Sequence, residues 1–261
     1  MRLILFSSIS FCLMSSLGVV TTQAAEGSNF GTGNRVEIPL LALLAPSVGF
    51  EEKNNVQVVL YGSLPNSCYS LAEPKVQKIS ANTFRVRQFA IHETSGICSD
   101  EATLPAHSQM MIPFMQEVAI GRLAIGNYQF VYDKLSSGDQ VRLLNVAQNV
   151  TPTVDSLPYA AVSSVNSPDA INGIDHIVAT ISGVLNSSCT SIDDNVRVMR
   201  EDDVFVLLPT IKVDPTVRCV QMLIPFEKKV DLGPAKHPGI YLLHTRSMNG
   251  KAVNKVVNVM K

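Results

Sequence analysis

The 261-residue chain carries 21 Lys and Arg against 22 Asp and Glu, a formal charge of −1. That balance gives no electrostatic footing for a nucleic-acid partner or an anionic membrane surface. With 46% hydrophobic and 16% charged residues, the chain can fill large cores and does not read as disordered.

The first residues read as a targeting segment. Arg2 gives a positive start, Leu3 to Val20 an uncharged apolar stretch, and Thr22-Gln23-Ala24-Ala25 the small residues of a cleavage site. Five serines (Ser7, Ser8, Ser10, Ser15 and Ser16) dilute the apolar stretch, so a cleaved signal fits better than a membrane anchor. Phe11 stands before Cys12 where a lipoprotein signal needs a small residue, so no lipid anchor is expected. The reading is a signal peptide over 1–25, a flexible lead-in over 26–34, and a secreted or periplasmic mature chain. No later stretch is long and apolar enough to span a bilayer.

Val36 to Ala45 is apolar with Pro39 inside it, which suits an edge or entering strand. Val56 to Tyr61 is rich in β-branched residues and is expected to stop at Gly62. Gly62-Ser63-Leu64-Pro65-Asn66-Ser67-Cys68 then reads as a tethered loop. Lys75 to Ile79 and Phe84 to Ile91 read as a hairpin, with Phe84, Val86 and Gln88 on one face and Arg85, Arg87 and Phe89 on the other. A long loop over 93–108 holds Cys98. Met110 to Ile120, Tyr128 to Tyr132 and Val141 to Val146 complete a domain over 35–150. A linker over 151–156 leads to a second domain over 157–261.

The second domain repeats the plan of the first. Gly183-Val184-Leu185-Asn186-Ser187-Ser188-Cys189 lies 121 residues after its counterpart, and Cys219 lies 121 after Cys98. Phe205, Ile224-Pro225-Phe226 and Gly239-Ile240-Tyr241 echo Phe84, Ile112-Pro113-Phe114 and Gly126-Asn127-Tyr128. Val204 to Val213 reads as one strand after an acidic turn at Glu201-Asp202-Asp203. Asn249-Gly250 marks the last hairpin. These echoes indicate a tandem duplication. They select Cys68–Cys98 and Cys189–Cys219 among the three connectivities open to four cysteines. Each bridge is worth about 3 to 4 kcal/mol in the chain-entropy model. Short strands, frequent turns and the lack of a helical stripe predict an all-β chain of two antiparallel immunoglobulin-like β-sandwiches, each with one internal disulfide.

Strand, Gly-x-Leu-Pro-x-x-Cys, hairpin, second Cys, Pro-Phe and Gly-x-Tyr together resemble disulfide-containing immunoglobulin-like repeats of bacterial secreted and envelope proteins. The matching residues are Gly62, Leu64, Pro65, Cys68, Cys98, Pro113, Phe114, Gly126 and Tyr128. The second copy matches at Gly183, Leu185, Cys189, Cys219, Pro225, Phe226, Gly239 and Tyr241, with Asn186 in place of the proline. The resemblance implies a fold and no activity.

The residues offer no chemistry of their own. His92, His107, His176, His237 and His244 form no zinc-protease spacing, and no nucleophile elbow or phosphate loop is present. Asp193-Asp194 and Glu201-Asp202-Asp203 read as polar turns rather than a calcium loop. Without Trp, sugar platforms are few; Tyr69 and Phe50 are the aromatic residues expected to be exposed. The expectation is therefore a non-enzymatic envelope protein without metal or cofactor, binding another envelope protein. An inhibitor or chaperone-like accessory protein is the first alternative, and a hydrolase with a concealed site the second. The first domain has nine extra residues within 99–109, between Cys98 and Pro113, and insertions of this kind sit in loops. Pro65, Asn66, Tyr69, Glu101, Leu104 and His107 are the candidate contact residues.

Overall fold

The computed structural model describes residues 33–47, 50–52, 54–100, 102, 104–148, 157–173 and 175–261. The expected signal peptide, nearly all of the lead-in, and the linker lie outside these residues. Among the described residues, nine strands lie in the amino-terminal half. They are β1 (Asn34–Ile38), β2 (Ala42–Leu44), β3 (Phe50–Glu51), β4 (Asn55–Leu64), β5 (Tyr69–Lys78), β6 (Thr83–His92), β7 (Ile112–Arg122), β8 (Gly126–Lys134) and β9 (Gly138–Ala147). One sheet runs β1-β6-β8-β9-β3 with β5 on the other edge of β6; the second runs β2-β4-β7. The expected hairpin strand begins earlier than Lys75, at Tyr69, and Asn34 already belongs to β1.

The two sheets face each other because their strands alternate. Phe84, Val86, Phe130, Leu144 and Val146 point inward from one, and Val56, Val58, Leu60 and Leu43 from the other. Gln88 shares the inward face of β6, as its spacing predicts. Its Nε2 donates to the carbonyls of Ala72 (2.7 Å) and Phe89 (2.9 Å), which satisfies the donor side of the buried amide. Pro39 lies between β1 and β2, where the chain leaves one sheet and enters the other, so its missing N–H interrupts neither ladder.

The carboxy-terminal half contains β10 (Ala161–Asn166), β11 (Ala170–Asn172), β12 (His176–Ser187), β13 (Thr190–Ile192), β14 (Arg197–Glu201), β15 (Val204–Leu208), β16 (Ile211–Val213), β17 (Gln221–Pro234), β18 (Gly239–Ser247) and β19 (Lys251–Met260). Its sheets run β10-β12-β17 and β11-β19-β18-β15-β14, with a small β13-β16 pair. The core between them is built on Ile177, Ala179, Ile181, Phe205, Leu207, Tyr241, Leu243 and Val257. Pro209 splits the strand expected over 204–213. Val204 to Leu208 stays in the large sheet, and Ile211 to Val213 pairs with β13.

Both expected bridges form. Cys68–Cys98 and Cys189–Cys219 each span 30 residues, with Cα atoms 5.6 and 5.0 Å apart. Most pairs are antiparallel, but β6 and β8 run parallel, as do β15 and β18, β3 and β9, and β11 and β19. A parallel join follows because each hairpin strand returns to its sheet beside a strand far back in sequence. In each half a tyrosine near the start of a strand ties down the chain before it. Tyr128 donates to the Ala124 carbonyl and Tyr241 to the His237 carbonyl, both at 2.8 Å. This is the tyrosine corner of sandwich folds. The Asn249-Gly250 hairpin forms, with both residues at positive φ.

The glycines of the repeated stretch do not end strands. β4 runs on to Leu64 and β12 to Ser187. A Cβ on Gly62 would stand 2.7 Å from the Phe114 ring, and one on Gly183 would stand 2.1 Å from the Ala161 carbonyl oxygen. Close approach of a neighbouring strand, not chain reversal, accounts for glycine there. Leu64 and Leu185 are buried, and Leu64 packs with Ile38 and Ala90 at the bridged end.

Candidate functional site: the bridged loops and the seam

The bridged end of the amino-terminal half brings several candidate contact residues together and turns two of them inward. Pro65 is exposed and lines an apolar cavity of about 280 Å³ with Ile38, Pro39, Leu41, Ser63, Met111 and Leu135. Asn66 is buried, and its Oδ1 accepts the Cys68 N–H at 2.8 Å. It shapes the loop as an Asx turn rather than facing a partner. Tyr69 is half-buried and stacked on His92 at 4.5 Å. Leu104 is only 5% exposed. The insertion folds back over the Cys68 loop. Ser67 donates its N–H to the Ser108 carbonyl at 3.0 Å, and Gln109 Nε2 donates to the Leu104 carbonyl at 2.7 Å. Glu101 lies outside the described residues. His107 belongs to a short 3-10 turn, Ala106–Gln109, and its side chain lies outside the described part. Phe50, expected to be exposed, is buried.

A second site joins the two halves, which form one compact unit. The outer face of β2 and β4 presents Leu44 and Val59, flanked by Ala42 and Tyr61. These pack on Tyr159, Val204, Val206, Leu208, Leu242 and Val256. The four larger sheets of the described residues are thus stacked. β15 and β18 lie in an inner layer and are buried on both faces, from Val204 to Leu208 and from Tyr241 to Ser247. Such strands lose the polar alternation of a half-exposed sheet.

Polar groups clamp this seam. Arg142 Nη1 reaches both oxygens of Asp203 (2.8 and 2.9 Å), and its Nη2 donates to the Ala45 carbonyl at 2.6 Å. Glu201 Oε2 accepts from the Ser47 N–H at 2.7 Å and its hydroxyl at 3.0 Å. The acidic turn is therefore no free hairpin tip, since two of its three acids hold the other half. Asn254 Nδ2 donates to Glu117 Oε1 at 2.7 Å, and Asn254 Oδ1 accepts from His244 Nδ1 at 2.8 Å. Phe50 lies against His244 and under Arg246. Burial, reinforced by the Arg246 charge, pushes the His244 imidazole down to about 3.

Sequence reasoning missed these seam residues. One signal was present: Val204-Phe205-Val206-Leu207-Leu208 is a continuous apolar run, whereas Phe84-Arg85-Val86-Arg87-Gln88 alternates.

His176 and His237 serve local structure. His176 meets Asp231 at 2.9 Å, and this contact with the Gly233 N–H holds the Asp231 carboxyl below its usual range. His237 precedes the second tyrosine corner. Asp193 is held low by Lys212 at 2.6 Å and by the Thr210 hydroxyl. Among the described residues, no group of three or more His, Cys, Asp or Glu is placed to hold a metal ion, and no helix is long and apolar enough to cross a membrane.

The fold and these contacts define a disulfide-bridged β-sandwich protein. A family model described as the ORF11 beta-sandwich domain matches residues 179–259, from the middle of β12 into β19. The match includes the second bridge and the second tyrosine corner. No curated protein matches the chain. No solved structure matches it either.

Proposed function

We propose that this chain is a non-enzymatic protein of the bacterial cell envelope, secreted or periplasmic after loss of residues 1–25, and that it holds a protein partner through the bridged end of its amino-terminal half. The observation that carries this reading is the apolar mouth there. Met111 is 57% exposed at the cavity lined by Pro65 and Leu135, and Met110 and Ile112 flank it in an exposed stretch. Ile97, on the turn bridged to Cys68, is exposed as well. Clustered apolar exposure of this kind marks interaction surfaces.

Loops, not sheet edges, are the contact in this reading. β5, β7 and β17 stand at sheet edges, and each contains a proline, namely Pro74, Pro113 and Pro225. Proline removes a donor from the exposed edge and discourages strand addition. The methionines favour a related alternative, a chaperone-like or inhibitory accessory protein, because their flexible side chains adapt to varied apolar surfaces.

We also infer that the two halves arose by tandem duplication of an immunoglobulin-like repeat. Equal cysteine spacing, paired tyrosine corners and matched strand-packing glycines support this.

Capture of partners from an envelope fraction tests the binding reading. The wild-type chain should retain a partner that Met111→Asp and a variant lacking 99–109 lose. The same partners on all three would remove the bridged end from consideration.

A further inference from the structure

His244 sits inside the seam, 3% exposed. Its Nδ1–H donates to Asn254 on β19, whose amide donates in turn to Glu117 on β7 of the other half. Nε2 is buried with no hydrogen-bond partner among the described residues. Arg246, two residues along β18, lies over the Phe50 ring at 5.5 Å, and His244 meets the same ring edge-on at 6.4 Å. The strand paired beside it, β15, brings Val206, and β2 and β4 bring Leu44 and Val59 to the same apolar cluster. Among the described residues, the charged groups near His244 include Arg246 on its own strand and Glu117 through Asn254, with Glu51 next to Phe50 on β3. Arg142, Glu201 and Asp203 hold the seam elsewhere.

We propose that this seam is an acid-sensitive latch, in which protonation of His244 releases the two sandwiches from each other while each keeps its own core and disulfide. The neutral ring satisfies Asn254 and leaves at Nε2 only an unpaired acceptor, which costs less than an unpaired charged donor. A protonated ring would carry a buried N–H without an acceptor and a second positive charge beside Arg246. Opening the seam hydrates the ring and removes both costs.

The pH window follows from the imidazole values in the two forms. The closed form holds the ring at about 3, against 6.5 for a hydrated histidine. Between these values the open form binds a proton that the closed form does not. The closed-to-open ratio therefore falls about tenfold per pH unit as pH drops below 6.5, and levels off near the lower value. Above 6.5 the latch is indifferent to pH.

Small-angle scattering of the full chain, with circular dichroism in parallel, tests this across the acid range. The radius of gyration should rise in acid while the β signal persists. His244→Gln keeps a donor for Asn254 and cannot take up a proton, so its rise should move at least about one pH unit lower. An unmoved rise would assign the transition to carboxylates and overturn the proposal, as would loss of the β signal together with the size change. If the glutamine variant does not fold, the imidazole proton resonance of the wild-type chain decides. A ring that stays neutral until the size changes supports the latch; one that titrates near its ordinary value in a compact protein overturns it.

Discussion

The two halves share strand order, bridge and tyrosine corner, yet their equivalent faces differ in chemistry. On β15 and β18 the outer residues are Val204, Val206, Leu208 and Leu242, all buried in the seam. The matching outer positions on β6 and β8 are Thr83, Arg85, Arg87 and Gln129, where Arg85 pairs with Asp139 in solvent. The other seam face shows the same contrast. Val59 and Tyr61 on β4 pack against the partner sheet, whereas Thr180 and Ser182 stand at their places on β12. The seam joins unlike faces, so each molecule leaves one copy of each face uncovered. Uncovered copies that stayed apolar would invite open-ended head-to-tail stacking. At the compared positions they are polar, beside exposed Val141 and Leu143 on β9 and Val178 and Val184 on β12. What distinguishes the halves is thus where each one touches the other.

The largest effects should come from breaking what the halves share. Replacing Cys189 and Cys219 by serine should cost about 3 kcal/mol in chemical denaturation, and the Cys68/Cys98 pair should cost about as much. An effect confined to one pair would show that the halves are not equivalent frameworks. Val206→Asp places an unpaired charge in the seam and should cost about 3 kcal/mol or more. Arg85→Asp, at the equivalent position, should leave the sandwiches folded. Equal losses at the two positions would erase the contrast between covered and uncovered faces.

Smaller effects sharpen the comparison. Gly183→Ala would drive a methyl into the Ala161 backbone and should cost about 2 to 3 kcal/mol. Gly62→Ala meets the Phe114 side chain, which can move, so about 1 kcal/mol is expected by denaturant midpoint. Arg142→Ala strips a partly buried ion pair from the clamp and should cost about 1 to 3 kcal/mol. Asp139→Asn, in the solvent-exposed pair, should leave the midpoint where it was.

Much of the fold was legible because it is written locally. β-Branched runs, the Asn-Gly hairpin and cysteine spacing each act over a few residues or repeat at a fixed interval. Gly62 and Gly183 were misread as strand ends because glycine punctuates chains more often than it admits a neighbour, and the neighbours, Phe114 and Ala161, are distant in sequence. The parallel joins were hidden for the same reason. Asn66 and Leu104 looked like loop surface by position, but one caps its own turn and the other plugs the insertion. The acidic turn is the sharpest case. Glu201 and Asp203 have the composition of a hairpin tip, and nothing nearby in sequence names Ser47 and Arg142 as their partners.

The central claim is that the seam makes two sandwiches one cooperative unit. Scanning calorimetry of the wild-type chain and of Val206→Asp tests it most directly. The wild-type chain should melt in a single transition, and the variant in two, each half retaining its disulfide-bridged core. Two independent transitions in the wild-type chain would contradict the account.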